Sequence, residues 1–331
     1  MLRVAVDAMG GDYAPEEIVK GVITAVKQAD DMEFLLVGAE DPIKKCLGSE
    51  IEHPRIKIIN ADEVIGNNEE PGLAIRRKKK ASMVVAIQLV CSGEADAIIT
   101  AGNTGALMAG SLLFLGRIKG INRPALLAVI PTFEGSGTVV LDVGANMDAK
   151  PEQMLQYSIM GKIYAQEVLK HENPRTALLN VGSEENKGNA QVKSSYELFE
   201  KNLNNFVGNI EAKEIFRDTA DVLVCDGFVG NVLLKSIEGI SRDLFAYLKE
   251  EINRDFLAKI ASTMLLSVFN RVRLKLDESE HGGAPLIGID GICIKCHGSS
   301  REKSISQALL KQVYPLVKNK ANEKIEAALK E

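Results

Sequence analysis

Residues 3–29 read RVAVDAMGGDYAPEEIVKGVITAVKQA, and this stretch indicates the fold. The run RVAVD predicts a short buried β-strand, and the segment after Pro15 carries apolar residues at helical spacing. Proline is favoured at the start of a helix because its missing N–H would have no intrahelical partner there. A strand, a glycine-containing loop and a helix in this order form one unit of an α/β fold.

The same unit recurs along the chain. Short aliphatic runs predict strands at residues 3–7, 33–37, 56–60, 97–100, 138–142, 176–181 and 222–225, and strand-like sequence continues to about Ile294. The alternation with helical patterns predicts an α/β/α sandwich, in which a mostly parallel sheet has helices on both faces. Because no linker or low-complexity tract divides the sequence, we expect a single domain over residues 1–331, of one or two lobes.

Composition limits the classes of function. The 331 residues are 46% hydrophobic and 26% charged, which is typical of a globular protein, and the formal net charge of −5 argues against a nucleic-acid partner. The N-terminus lacks the apolar region of a signal peptide. The longest apolar runs fall short of the roughly 18 residues that span a bilayer. These features predict a cytoplasmic protein.

The five cysteines are interpreted as reduced thiols. Cys293, Cys296 and His297 form the spacing C-x-x-C-H, which in an exported chain would suggest haem attachment. The sequence has no export signal and no second cysteine pair to complete a zinc site. We therefore expect no metal and no cofactor.

Six loops that follow strand-like runs combine glycine with Asn, Asp, Ser or Thr: AMGGD, AGNTGALMAG, VGANMD, GSEENKGN, DGFVGN and HGSS. Glycine lets the backbone approach a ligand closely, and free N–H groups at a helix start favour an anion. Each loop alone is also consistent with an ordinary turn, but together they favour a phosphate or acyl-phosphate site at the carboxyl ends of the strands. Dinucleotide and P-loop signatures are absent from the sequence. The candidate binding residues are Gly10, Gly11, Asn103, Thr104, Gly105, Asn146, Asp226, Gly227, Gly230, His297 and Ser299.

Over about residues 3–317, the motifs VAVDAMGGDYAPEEIVKG, AIRRKKKASM, TAGNTGA, LDVGANMDAKPE, GSEENKGN, DGFVGNVLLKSIEG and HGSS resemble those of the phosphate acyltransferase (PlsX) family of bacterial phospholipid synthesis. The resemblance implies transfer of a long fatty acyl group from acyl carrier protein to inorganic phosphate. The acyl phosphate would then serve a downstream acyl-phosphate:glycerol-3-phosphate acyltransferase. It further implies a fold similar to phosphotransacetylases and the isopropylmalate dehydrogenase group, usually in a homodimer. The positions that the family implicates in catalysis match Lys187 and Asn231.

The chemistry of that reaction suits these residue types. Attack of phosphate on a thioester needs a held anion and a donor for the charge that develops on the carbonyl oxygen, and a lysine with an amide supplies both. By themselves, Lys187 is also consistent with a solvated surface residue, Asn231 with a helix cap, and His297 with a half-buried histidine. Two rival functions stay open: a phosphotransacetylase-like enzyme for coenzyme A thioesters, and a non-catalytic, membrane-associated acyl or phosphate sensor.

The densest charge cluster, RRKKK at residues 76–80, falls on a helix predicted from about residue 72. Such a run is usually a solvated surface. In a protein of net negative charge it also suits docking of an acidic carrier protein through electrostatic steering, with Arg76, Arg77 and Lys78 as candidates.

Residues 253–275, NRDFLAKIASTMLLSVFNRVRLK, predict a helix with a broad apolar stripe and cations at both ends. The stripe is consistent with a core helix, a dimer interface or a peripheral contact with the inner face of the cell membrane. The candidate membrane residues are Leu257, Ile260, Met264 and Leu265.

Overall fold

The computed structural model describes residues 1–135, 137–276 and 282–330. The strands in this part of the chain are β1 Leu2–Asp7, β2 Met32–Gly38, β3 Ile56–Asn60, β4 Ala97–Thr100, β5 Ala125–Ile130, β6 Thr138–Leu141, β7 Thr176–Asn180, β8 Phe206–Glu211, β9 Val222–Val224, β10 Ala284–Ile287 and β11 Ile292–Lys295. The α-helices are α1 Glu16–Val26, α2 Glu40–Leu47, α3 Pro71–Arg77, α4 Ser82–Cys91, α5 Thr104–Phe114, α6 Pro151–Glu167, α7 Ala190–Asn202, α8 Gly227–Arg254, α9 Phe256–Leu276, α10 Glu302–Gln307, α11 Tyr314–Lys318 and α12 Ala321–Ala328. A π-helical turn, Ala308–Val313, joins α10 to α11.

The described strands form one sheet in the order β3-β2-β1-β4-β11-β10-β5-β6-β9-β7-β8. Neighbours pair in parallel except where β10 and β5 interrupt the series: β11 with β10, β10 with β5, and β5 with β6 are antiparallel. The predicted mostly parallel sheet and all seven predicted strands are confirmed. Because three reversals separate β11 from β6, the strands β6, β9 and β7 run opposite to β1, β4 and β11.

Helices cover both faces of this sheet. On one face, α1, α2, α6 and α7 pack along its whole width around residues such as Phe34, Tyr157 and Phe199. On the other face, α3, α4 and α5 cover one half, and the first part of α8 covers the other with Leu233, Leu234 and Ile237. Alternation within the strands explains the division, since Val4 and Val6 of β1 face the first layer and Ala5 faces the second. The predicted α/β/α sandwich is therefore confirmed.

Helices α8 and α9 form a hairpin whose distal part extends away from the core. Helix α8 ends at Arg254, and Asp255 breaks the helix and then accepts the Leu257 N–H at 2.8 Å to begin α9. The stretch predicted as one helix over residues 253–275 therefore contains a break, and only its part from Phe256 onward belongs to α9. None of the residues of α9 is buried. Within the described residues, no helix is long and apolar enough to cross a membrane.

Candidate active site

The reversal of strand direction divides the glycine loops into two groups. Loops after β1, β4 and β11 lie at one border of the sheet; residues 8–12, 101–105 and 296–299 are called here the first loop group. Loops after β6, β7 and β9 lie at the opposite border; residues 142–146, 181–189 and 226–231 are called the second loop group. No hydrogen bond between the two groups occurs in the described parts of the chain. The expectation that all six loops meet at one edge is therefore not met within one chain.

A buried carboxylate organises the first loop group. Asp7, the last residue of β1, is 2% exposed and accepts the Thr100 hydroxyl at 2.6 Å, while the Gly102 N–H donates to the same hydroxyl oxygen at 2.9 Å. Burial raises the pKa of Asp7, and hydrogen bonds from Ser82, Thr100 and the following loop oppose that shift. The ends of β1 and β4 are thus tied together beneath the loops.

Gly10 is required by this close packing. A Cβ at that position would lie 2.6 Å from Asp7 Oδ2 and 2.7 Å from the Gly102 nitrogen. The neighbouring loop after β11 joins the same assembly, because the Asp12 N–H donates to the Gly298 carbonyl at 2.8 Å. Gly10 and Gly11 therefore lie where predicted, between the loops that follow β4 and β11.

Helix α5 begins in the first loop group, with Thr104 and Gly105 in its first turn. Asn103 is its N-cap: the side-chain oxygen accepts the Ala106 N–H at 3.0 Å, and the amide donates to the Asn67 carbonyl at 3.1 Å. Gly105 faces Pro71, the first residue of α3, so α3 starts beside this group. The Asn103 side chain therefore holds the loop in place. The backbone N–H groups that could meet a ligand here are those of the first turn of α5.

His297 and Ser299 form an exposed pair in the same group. The Ser299 hydroxyl lies 2.7 Å from His297 Nδ1, and the Ser299 N–H donates to that nitrogen at 3.2 Å. Because Nδ1 is an acceptor, the neutral ring carries its proton on Nε2. Cys293 and Cys296 differ from this pair, since both are buried and belong to the cores on opposite faces of the sheet. The two thiols therefore do not bind one common metal ion or haem group. Burial raises the pKa of each to about 12.

Asp142 organises the second loop group in the same way. This carboxylate, 0% exposed, accepts N–H groups of Leu126, Gly144, Ala145 and Asn146 at 3.0, 3.1, 2.9 and 2.6 Å, and the Asn146 side-chain amide at 3.0 Å. Burial raises the pKa of Asp142, and its donors oppose the shift. The Asn146 amide also donates to the Pro124 carbonyl at 2.7 Å. Both amide hydrogens of Asn146 are thus used to fix the loop, and its side-chain oxygen is what remains for a ligand.

Helix α8 begins against this loop. Asp226 is its N-cap and accepts the Val229 N–H at 2.8 Å, while the Gly227 N–H donates to the Asn146 carbonyl at 2.8 Å. The helix-cap interpretation of Asn231 is therefore wrong, because Asp226 performs that role. The half-buried Asn231 lies in the second turn of α8 beside Gly144, in the loop that Asp142 holds.

Lys187 is exposed in the loop after β7, the strand adjacent to β9. The Asn180 amide donates to the Lys187 carbonyl at 3.1 Å, which anchors the backbone and leaves the ammonium in solvent. The structure thus places Lys187 in the loop after β7 and Asn231 in the second turn of α8, the helix that follows the adjacent parallel strand β9. Gly227 and Gly230 lie in the same group, on the buried side of α8.

The basic cluster does not lie on one helix. Helix α3 ends at Arg77, so residues 78–80 are outside it, contrary to the helix expected to continue from about residue 72. Lys78 is held by the Glu69 carboxylate at 2.7 Å and the Val64 carbonyl at 2.9 Å. Arg76 and Arg77 are exposed, and no ion pair of theirs occurs in the described residues. The two arginines are thus available to a partner, whereas the charge of Lys78 is already paired.

The apolar stripe of α9 is exposed. Leu257 and Met264 are 73% and 83% exposed, and Ile260 and Leu265 are about half exposed. A core position within one chain is therefore excluded for these four residues. An open groove of about 740 Å³ lies between α8, α9 and the end of β5, with Leu234, Ile237, Phe245, Leu266 and Phe269 in its lining.

Three residues that organise or border the loop groups were not predicted. Asp7 and Asp142 each end an otherwise apolar run and directly precede a glycine-containing loop. A carboxylate at such a position could have indicated a residue that organises the loop. Lys295 interrupts the apolar run ICIKC in β11 and extends into the first loop group. Because lysine is rarely buried, its position within an apolar strand could have indicated this residue.

Solved structures of low sequence identity share this fold. A phosphotransacetylase from Streptococcus pyogenes superimposes with a TM-score of 0.63 at 15% identity, covering 98% of this chain and 94% of the other. A branched-chain phosphotransacylase from Enterococcus faecalis V583 gives 0.60 at 16% identity, covering 96% and 99%. The architecture is therefore that of the phosphotransacylases, as expected from the sequence.

Curated relatives define the family more closely. The family model described as "Fatty acid synthesis protein" matches residues 2–324. The phosphate acyltransferase of Caldanaerobacter subterraneus subsp. tengcongensis is 48% identical over 318 residues, 96% of this chain and 94% of the relative. The Bacillus cereus phosphate acyltransferase is 49% identical over 308 residues, 93% of this chain and 92% of the relative. The chain belongs to the phosphate acyltransferase (PlsX) family and is an acyltransferase, which confirms the resemblance found in its motifs.

Proposed function

We propose that this protein transfers a long-chain fatty acyl group from acyl carrier protein to inorganic phosphate, and that the acyl phosphate enters phospholipid synthesis. The observation that carries the proposal is that Lys187 and Asn231 follow two neighbouring parallel strands, β7 and β9, with Asn231 next to a loop fixed by Asp142. Family membership supports acyl transfer to phosphate. The carrier, the chain length and the downstream acyl-phosphate:glycerol-3-phosphate acyltransferase are part of the proposal.

In the proposed reaction a phosphate oxygen attacks the thioester carbonyl carbon. A C–O bond forms, the C–S bond breaks, and the carrier leaves as a thiolate that takes a proton from solvent. The Lys187 ammonium and the Asn231 amide donate to the phosphate and to the carbonyl oxygen as negative charge develops on it. Phosphate dianion is already a nucleophile, so the step needs orientation rather than a base.

The position of α3 supports docking of a carrier protein. Arg76 and Arg77 project from a helix that begins at Pro71, which contacts Gly105 of the first loop group. An acidic carrier steered to this helix would arrive beside the first loop group, at the border of the sheet opposite to Lys187 and Asn231 of the same chain. Lys78 contributes less, because its charge is already paired with Glu69.

The exposed face of α9 supports a peripheral membrane contact or a homodimer. Large contiguous apolar surfaces on a soluble chain usually meet a partner or a lipid surface. The tip of the hairpin carries Phe256, Leu257 and Ile260, and Arg271, Arg273 and Lys275 follow at the far end of α9. That arrangement suits the interface of an anionic membrane, where the apolar face is inserted and the cations meet lipid headgroups. The groove between α8 and α9 suits a second copy of the hairpin.

A comparison of acyl donors tests the proposed substrate. The purified protein is given phosphate and the same long-chain acyl group on acyl carrier protein or on coenzyme A, and acyl phosphate is measured. We expect a higher kcat/KM with the carrier protein. Equal or better turnover of the coenzyme A thioester would favour the phosphotransacetylase-like function instead. Binding of the donor without any phosphate-dependent loss of thioester would support a non-catalytic sensor.

A further inference from the structure

The loop that carries Lys187 contains a tight turn held by a buried asparagine of the neighbouring strand. The Lys187 N–H donates to the Glu184 carbonyl at 3.2 Å, which closes the turn from residue 184 to residue 187. The side-chain amide of Asn209, on β8, donates to the same Glu184 carbonyl at 3.0 Å. Asn209 is only 7% exposed, although all the residues of the turn are exposed. Its amide therefore reaches out of the sheet to hold the first residue of the turn.

A second buried amide holds the other end of the turn. Asn180, the last residue of β7, is 9% exposed and donates to the Lys187 carbonyl at 3.1 Å. The two asparagines lie on one face of the sheet, because Asn209 is in register with Leu178, two residues before Asn180 on β7. The turn is thus tied to two adjacent strands, one through each of its end residues, and Lys187 is one of these ends.

The stem of the Lys187 side chain is held as well. A Cβ at Gly182 would lie 3.2 Å from Lys187 Cγ and 3.7 Å from its Cβ, so the stem packs over the bare backbone at Gly182. Gly188, directly after Lys187, has a φ of +92°, which favours glycine, and a Cβ there would lie 2.5 Å from Asn180 Oδ1. These contacts set the direction in which the exposed lysine side chain leaves the loop.

The cost of burying Asn209 points to a role in positioning rather than in stability. Its Oδ1 is buried and accepts no hydrogen bond in the described part of the chain, which is unfavourable. The opposite orientation of the amide would be worse, since Oδ1 would then face the Glu184 carbonyl, which is also an acceptor. Glu184 is exposed, so solvent can satisfy its carbonyl when Asn209 is replaced. Asn209 therefore adds little to the stability of the fold, and what it supplies is the fixed position of the turn.

We propose that Asn209 is a positioning residue for Lys187: its buried amide holds the turn from which the ammonium is directed at the phosphate and the thioester carbonyl. The inference rests on the proposed catalytic role of Lys187. A donor to a developing oxyanion acts only at hydrogen-bond distance, so a shift of about 1 Å in the turn is enough to lower turnover strongly. Asn209 itself touches no reacting group and acts through Lys187 alone.

A double-mutant cycle tests this coupling, with the acyl donor that the wild type turns over best. Asn209→Leu has a similar volume and removes both the donor and the unpaired acceptor. We expect it to lower kcat about tenfold, to leave the KM for the acyl donor within about twofold, and to unfold in urea at the wild-type midpoint or above. Added to Lys187→Ala, it should lower kcat by less than about twofold further, because its effect passes through the missing lysine. Asn209→Ser, which is too short to reach the turn, should reproduce these results.

Hydrogen exchange of residues 182–188, followed by mass spectrometry without substrate, measures the hold on the turn independently of activity. Asn209→Leu should speed exchange in this segment, and the rest of the chain should keep wild-type protection. Asn202→Leu is the control, because the exposed Asn202 amide makes the same kind of bond, to the Leu198 carbonyl at 2.7 Å, at the far end of α7. It should change neither kcat nor the exchange of residues 182–188.

A wild-type kcat or unchanged exchange in Asn209→Leu overturns the inference, and so does an equal loss of kcat with and without the Lys187 side chain. These failures leave the proposed function intact as long as Lys187→Ala alone lowers turnover. Normal turnover in Lys187→Ala would instead remove the lysine from the mechanism, and the positioning role of Asn209 with it.

Discussion

A Cβ at Gly230 would lie 1.9 Å from the carbonyl oxygen of Asp142. Helix α8 therefore contacts the backbone of the loop after β6 directly, without an intervening side chain. This contact fixes the start of α8, and with it Asn231, against the loop that the Asp142 carboxylate holds through four N–H donors. The position of the proposed catalytic amide thus depends on a glycine.

Gly230→Ala should lower the free energy of unfolding by roughly 1–3 kcal/mol or more, because the backbone at Asp142 has to move to admit the methyl group. Gly239→Ala is the matched control in the same helix, where no atom lies within 4 Å of the added carbon. It should be neutral or stabilising by about 0.5–1 kcal/mol, as alanine is the better helix former. Urea unfolding followed by circular dichroism measures both variants. Equal stability of the two would show that the contact at Gly230 is unimportant.

Lys187→Ala and Asn231→Ala should each reduce turnover by roughly 10² or more, the usual effect of removing one donor to a developing oxyanion. Neither side chain makes a hydrogen bond within the described residues, so the far-ultraviolet circular dichroism should stay that of the wild type. Lys193→Ala, an exposed lysine of the following helix α7, is the control and should retain full activity. A variant with normal turnover and normal structure would remove its residue from the mechanism.

Replacing Arg76 and Arg77 with alanine should slow association with acyl carrier protein and flatten its dependence on salt. Charges at the rim of an interface act mainly on the rate of encounter, so the dissociation rate should change little. Stopped-flow binding at several ionic strengths measures both rates. Lys78 is left intact because it holds Glu69, and Lys44→Ala with Lys45→Ala on the opposite face of the sheet is the control. Wild-type salt dependence in the arginine variant would mean that the cluster is only a solvated surface.

Leu257→Glu and Met264→Glu should abolish sedimentation with vesicles that contain anionic lipid, if the α9 face inserts into the membrane interface. Both side chains are more than 70% exposed in the single chain, so the variants should fold. Gel filtration on the same samples separates this outcome from loss of a dimer, which would appear as a monomer or as aggregate because the charge would be buried unpaired. Val207→Glu, an exposed apolar position on β8, is the control. Folded dimers that still bind vesicles would exclude a membrane role for these two positions.

Much of the fold could be predicted because strand and helix periodicities alternate clearly along the chain. Three strands were missed for local reasons. In β8, Gly208 has a positive φ of 90° and the pairing shifts register, which interrupts the pattern. Strand β10, APLI, contains Pro285, and a proline within a run argues against a strand. Strand β5 is a continuous apolar run, which periodicity does not distinguish from a buried helix.

Missing β5 had a consequence for the candidate site. Only seven residues separate β5 from β6, and a connection that short requires antiparallel pairing. Without β5 the reversal of strand direction was not predictable, and all six glycine loops were expected at one edge. The residue types in the loops indicated anion binding, whereas their division into two groups depends on sheet topology that is set by long-range pairing.

Transfer of labelled phosphate tests the central claim most directly. The purified protein is incubated with long-chain acyl-acyl carrier protein and [³²P]phosphate, and the label in acyl phosphate is compared with the amount of carrier thiol released. The proposed reaction predicts label in acyl phosphate, equal in amount to the free carrier and absent when the carrier is omitted. Release of carrier thiol without label in acyl phosphate, or no release at all with a carrier of proven activity, would contradict it.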